Sequence, residues 1–215
     1  MKKETVTCRI CGAKNSFPIL KRRLKDEEDI YTKFCPNPQL LEERELDGIL
    51  QRCSNCGYIF PRIDEDTKLK RRLLNSKTYQ FSFTENYRGS AAALECYQLA
   101  LLYREMECYA LSAQWHIYAA VLLDETYEKE RQKCYRKAYL RLRKCKSSYE
   151  IELAKLNLLR LHGMHERAVD VGKELARQYE GIEKNLIEVI VWLAKHRNSN
   201  YMTYFEMLSI DIKGE

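Results

Sequence analysis

The chain has 215 residues, 45% of them hydrophobic and 32% charged, with nine cysteines and a formal net charge of +6. That is enough for one or two domains with a real hydrophobic core. The opening residues, Met1 to Cys8, hold no apolar segment, and runs such as Val189 to Ala194 are far too short to span a bilayer. A secreted or membrane-spanning protein is therefore not expected, and the expected location is cytoplasmic. In such a reducing compartment nine cysteines point to metal binding, not to a disulfide framework.

The first predicted elements are the short strands Glu4 to Thr7 and Ser16 to Leu20, flanking the turn Cys8-Arg9-Ile10-Cys11-Gly12. A charged insertion follows, from Lys21 to about Asp47. Strands at Gly48 to Arg52 and Gly57 to Phe60 then flank a second turn, Cys53-Ser54-Asn55-Cys56-Gly57. Each Cys-x-x-Cys-Gly turn aims two sulfurs at one point. The glycine supplies the positive φ that closes the turn and directs backbone N–H groups at the thiolates. Two turns give four sulfurs, which satisfy a tetrahedral Zn²⁺ with no open position. Cys8, Cys11, Cys53 and Cys56 are the predicted ligands of a structural zinc in a zinc ribbon. Iron in a rubredoxin-like site uses the same turns. The 41 residues between Cys11 and Cys53 exceed the usual spacing of about 15–20. The insertion carries a fifth cysteine, Cys35. It reads as a free thiol in a loop, with replacement of one knuckle ligand as the alternative.

All four prolines fall within the first 61 residues. The architecture thus changes from an irregular β-rich part (1–77), through a connector (78–90), to a helical part (91–215). Apolar residues at three-and-four spacing predict a first helix through Ala93, Tyr97 and Leu101 and a second from about Ala110 through Trp115 and Leu122. A third is expected over about Asp124 to Lys146, with Asp124 as N-cap. No Gly or Pro separates the second from the third, so one long rod is also compatible. Further helices are expected at Tyr149 to His162, Glu166 to Tyr179, Ile182 to His196 and Tyr201 to Leu208. Cys96, Cys108, Cys134 and Cys145 fall in helical patterns as small buried hydrophobes.

Gly163 with Ala168 reads as helix, glycine turn, helix. Ala113, with Ile117 and Ala120, repeats the second-helix pattern upstream. This resembles a tetratricopeptide unit, at an offset of 55 residues instead of the regular 34. The whole order of features is similar to that of an uncharacterised bacterial family joining a split zinc ribbon to tetratricopeptide-like helices. The resemblance rests on the two knuckles, Cys56-Gly57-Tyr58, Ala93 to Leu101, Ser112 to Trp115 and Leu158 to Ala168. Arg9 and Ser54 stand where the family often has proline, which leaves the ligands untouched. The resemblance implies a cytoplasmic metal-binding protein of bacteria and does not supply an activity, because the family is of unknown function.

No phosphate loop, dinucleotide fingerprint or serine elbow is present, and no acid–base pair can be named, so an enzyme is not expected. His162 and His165 flank the Gly163 turn as turn or surface histidines. The charge is uneven: +8 over 129–146, after −5 over 78–128. Within this basic helix Arg136, Lys137, Arg141 and Lys144 are candidate nucleic-acid contacts, with Tyr127, Tyr135, Tyr139 and Tyr149 available to stack on bases. A solvated basic face is the simpler reading. Phe17, Tyr58 and Phe60 are expected to form the ribbon's own small core. The leading functional expectation is a zinc-binding, non-enzymatic interaction or scaffold protein with an unknown protein partner. Nucleic-acid binding by ribbon and basic helix is the alternative.

Overall fold

The computed structural model describes residues 3–18, 34–36, 50–67, 69, 71–80 and 87–212. Most of the charged insertion, the ends of the strands expected at Ile19–Leu20 and Gly48–Ile49, and residues 81–86 of the expected connector lie outside them.

Two small antiparallel hairpins open the chain. Strands β1 (Lys3–Thr7) and β2 (Lys14–Pro18) pair from Lys3 opposite Pro18 to Thr7 opposite Lys14. Strands β3 (Gln51–Arg52) and β4 (Ile59–Phe60) pair across the second knuckle. The rest is helical: α1 (Arg71–Leu74), α2 (Lys77–Gln80), α3 (Ala91–Glu105), α4 (Tyr109–Val121), α5 (Glu128–Leu142), α6 (Tyr149–Leu161), α7 (His165–Ala176), α8 (Gly181–Lys195) and α9 (Tyr204–Leu208). From α3 onward each helix packs on the next.

Side chains mark the starts. The hydroxyls of Ser90 and Ser148 accept from Ala93 N and Ile151 N, and Thr203 with Glu206 forms a reciprocal capping box. The rod compatible with residues 110–146 does not form. The chain leaves α4 after Val121, and Asp124 caps a single 3-10 turn at Glu125–Tyr127 before α5 begins. The two helices then pack against each other. A rod would leave the apolar faces of both without a partner, so burial overrides local continuity.

Three helix ends share one turn. The N–H groups of Cys108, Met164 and Asn198 reach back to Tyr103 O, Leu159 O and Leu193 O, each at 2.9 Å. The residue before each donor has positive φ: Glu107 at 60°, Gly163 at 74° and Arg197 at 52°. This is the Schellman end, used twice without glycine. Matched on these turns, the equivalent of Ala168 is Ser112, one residue before the expected Ala113. Ser112 is fully buried and donates to Ala100 O at 2.8 Å. Where α7 meets α6 and α8, Gly172 is the tightest point. A Cβ there would lie 2.2 Å from Val191 Cγ2 and 3.3 Å from Leu156 Cδ1.

Apolar burial forms two clusters. The first joins the hairpins to α3, α4, α5 and one face of α6; the second joins the other face of α6 to α7, α8 and α9. Helix α6 is buried on two faces because it walls both, and its Glu152 and Lys155 pair with each other on the remaining face. The hairpin part thus does not keep a private core. Tyr58, Ile59 and Phe60 are buried, and the Phe60 ring meets Tyr103 of α3 at 5.5 Å. Arg52 reaches Glu95 and Gln98, and Tyr79 donates to Gly57 O at 2.9 Å. The Phe34–Pro36 segment bridges the clusters: Phe34 belongs to the first and Cys35 to the second.

Candidate metal centre

Both knuckles close the same way. Gly12 N reaches Cys8 O at 2.8 Å and Gly57 N reaches Cys53 O at 2.9 Å, with φ of 74° and 70° at the glycines. Cys8 N and Cys53 N bond across each turn to Ala13 O and Tyr58 O. Those closures leave four side chains converging. Cys8 Sγ lies 3.7 Å from Cys56 Sγ, Cys11 Sγ lies 3.6 Å from Cys53 Sγ, and all four sulfurs fall within 4.8 Å of one another. A tetrahedral ion with metal–sulfur bonds of about 2.3 Å holds its sulfurs about 3.8 Å apart. The sequence-predicted ligands are therefore brought together with the spacing such an ion needs. Among the described residues this is the one His/Cys/Asp/Glu group compatible with a metal.

The electrostatics of the bare thiols are frustrated. Burial pushes Cys8 and Cys56 up, while the Asn55 side chain pulls Cys11 down to about 6 by hydrogen bonding. Four thiolates at this separation need a cation between them.

Asn15 is the site residue that sequence reasoning missed. It is 8% exposed on β2. Its Nδ2 donates to Ala13 O at 3.0 Å and to Cys53 Sγ at 3.5 Å, and its Oδ1 accepts from Ser54 N and Ser54 Oγ, both at 2.9 Å. One amide thus ties the first knuckle to the second and supplies a donor to a ligand sulfur. Its only sequence signal is a polar residue on a strand that must face the ligands. Asn15→Ala should weaken metal affinity about 10–100-fold, read by competition with a chromophoric chelator. Asn15→Asp, which puts a carboxylate beside the sulfurs, should do no better.

Cys35 takes no part. It is 2% exposed, donates to Met202 O at 3.2 Å and lies under the Tyr201 hydroxyl. Instead of a free loop thiol it is a buried one, pushed up to about 12 by burial. Cys96 and Cys134 are fully buried, as expected, while Cys108 and Cys145 are half-buried. His162 Nδ1 pairs with Gln132 Oε1 at 2.6 Å and His165 Nε2 with Ser199 at 3.2 Å, so both turn histidines are engaged locally.

The basic helix is not one open face. Arg136 and Lys144 are exposed, but Lys137 and Arg141 are half-buried, and Lys144 lies 4.7 Å over the Tyr109 ring. The interleaved tyrosines do not form a stacking platform. Tyr135 is buried, Tyr127 packs on Tyr87, Tyr149 on Tyr179, and Tyr139 lies beneath Arg167. Burial, then the Lys133 ammonium, lowers Lys137 from 10.5 to about 8, with Arg104 and Arg141 adding and Cys134 opposing. Between those values the unfolded chain binds more protons at this site than the folded one, so its contribution to stability rises with pH. Lys137→Met should remove that rise. The difference in melting temperature, wild type minus variant, should grow from about pH 7.5 to about pH 9.5. An unchanged difference would mean that Lys137 is not desolvated.

No family model matches the chain, and no curated protein and no solved structure matches it. The family resemblance rests on the residues quoted for it. Among the described residues no helix is long and apolar enough to cross a membrane.

Proposed function

We propose that the protein is a zinc-binding interaction module without catalytic activity. In this reading Cys8, Cys11, Cys53 and Cys56 hold a structural Zn²⁺ in a split zinc ribbon, and tetratricopeptide-like helices offer a surface to a partner protein. The observation that carries it is the convergence of four sulfurs from two knuckles, which fills a tetrahedral ion and leaves no position for substrate or water. The repeated Schellman turns and the small residues Ala168 and Gly172 between packed helices support helical hairpins of one kind. A groove of about 530 Å³ between α7 and α8 supports the binding role. Its lining includes Lys173, Lys195, Val191 and Trp192, and no cysteine, histidine, serine or tyrosine. The resemblance to the bacterial family, and with it a cytoplasmic location, belongs to the same proposal.

The test is elemental analysis of purified protein together with Co²⁺ substitution. One zinc per chain and a tetrahedral thiolate-cobalt spectrum are expected. Iron in the purified protein would replace zinc in the reading. A spectrum of octahedral cobalt, or no metal at all, would remove it.

A further inference from the structure

Tyr97 of α3 collects positive charge from α5. Its ring is buried, and the ammonium groups of Lys137 and Lys133 sit 4.7 and 5.5 Å from its centroid. Lys137 also donates to the Tyr97 hydroxyl. Arg141 follows Lys137 by one turn of α5, and Arg104 lies about two turns beyond Tyr97 in the last turn of α3. From α4, His116 meets the Tyr97 ring at 5.1 Å. It is fully buried, both ring nitrogens lack a hydrogen-bond partner, and burial keeps it neutral, reinforced by Lys137, Arg141, Arg104 and Lys133.

Of these cations Arg104 pairs with a described carboxylate, Glu105. No described residue forms an ion pair with Lys137 or Arg141, and Arg141 Nε is buried without a partner. Other cations of the molecule do find acids: Arg52 with Glu95, Lys155 with Glu152, Arg177 with Glu174. Like charges gathered in a partly desolvated site repel one another, and an arriving anion relieves that repulsion.

We propose that Arg104, Lys137 and Arg141, flanked by Lys133 and Lys144, form a binding site for phosphate groups. Two guanidinium forks and an ammonium suit the several oxygens and multiple charge of a phosphoryl group better than a single carboxylate. The ligand is read by charge alone, because Tyr97 is buried and Lys144 covers Tyr109. Free oligophosphates and a nucleic-acid backbone share that chemistry. The proposal does not rest on the metal centre.

Isothermal titration calorimetry on the full chain tests it, with sodium tripolyphosphate in one arm and a short mixed-sequence DNA duplex in the other. The variants are Lys137→Met with Arg141→Met, and a control of equal charge change, Lys129→Met with Lys146→Met, both at exposed positions. Arg141→Gln alone serves if the first double variant does not fold. Binding of either probe should weaken about tenfold or more in the cluster variant and less than about twofold in the control. Cluster-dependent binding of tripolyphosphate alone assigns the site to a small phosphorylated ligand. Cluster-dependent binding of the duplex alone assigns it to a phosphodiester backbone. Equal losses in both variants, or no binding of either probe, would overturn the proposal.

Discussion

Stripping the metal with a chelator, or replacing Cys53 by Ser, should unfold residues 3–18 and 50–67 while most of the helical circular dichroism survives. Two two-stranded hairpins cannot stand in water alone. On the zinc reading proposed above, the energy withdrawn is of the kind that folds isolated zinc-finger peptides, about 10–16 kcal/mol there. The loss should not stay local. Phe60 packs on Tyr103 and Arg52 reaches Glu95 and Gln98, so α3 loses cover when the hairpins melt. The expected result is a changed near-ultraviolet tyrosine signal, a lower melting temperature and new binding of a hydrophobic dye, with far-ultraviolet helix signal largely kept. A chelated protein with unchanged tyrosine signal and melting temperature would sink the metal reading.

Arg160→Ala should destabilise the second apolar cluster by about 3–5 kcal/mol, in the range of large core truncations. Arg160 is 0% exposed. Its Nε donates to Asn157 Oδ1 at 3.0 Å, and its Nη1 to Asn198 O at 2.9 Å and Asn200 O at 2.8 Å. Removal leaves a cavity and three acceptors without their donor, and each such group costs about 1–3 kcal/mol when it stays dry. The guanidinium carries its own cost, since burial lowers it to about 10 and its Nη2 is buried without a hydrogen-bond partner among the described residues. Arg160→Met, which keeps volume and drops the charge, should therefore lose only part of what alanine loses. Urea midpoints of the two variants check this. Equal midpoints for alanine and methionine would mean that cavity volume contributes nothing.

The four converging cysteines were legible because the geometry of each knuckle is local. Two residues between cysteines and a glycine after them already set where the sulfurs point. Helix existence was legible for a similar reason, since a 3.6-residue apolar period needs no knowledge of the partner. What failed to show was long-range. Nothing near Asn15 says that its amide meets Ser54, and nothing near Cys35 says that its thiol meets Met202. The break after Val121 left only Asp124 as a trace, because the burial that forces it lies on other helices. The basic helix misled in a third way. Charge and tyrosine content are properties of a string, whereas stacking requires open ring faces, and packing had already used them. The expected boundary near residue 77 is a change of composition that the apolar core crosses.

The Phe34–Pro36 anchor gives the insertion between the knuckles a mechanical meaning. If an ion bridges the knuckles, Cys11 and Cys53 are fixed on either side of Cys35 in the chain, and Cys35 is itself seated on Met202 and Tyr201 at the start of the last helix. The ion and the seat are then two fastenings on one covalent chain, each able to favour the other. Thermodynamic reciprocity then fixes the converse. Whatever loosens the seat at Tyr201 lowers metal affinity by the same factor by which metal loss loosens the seat.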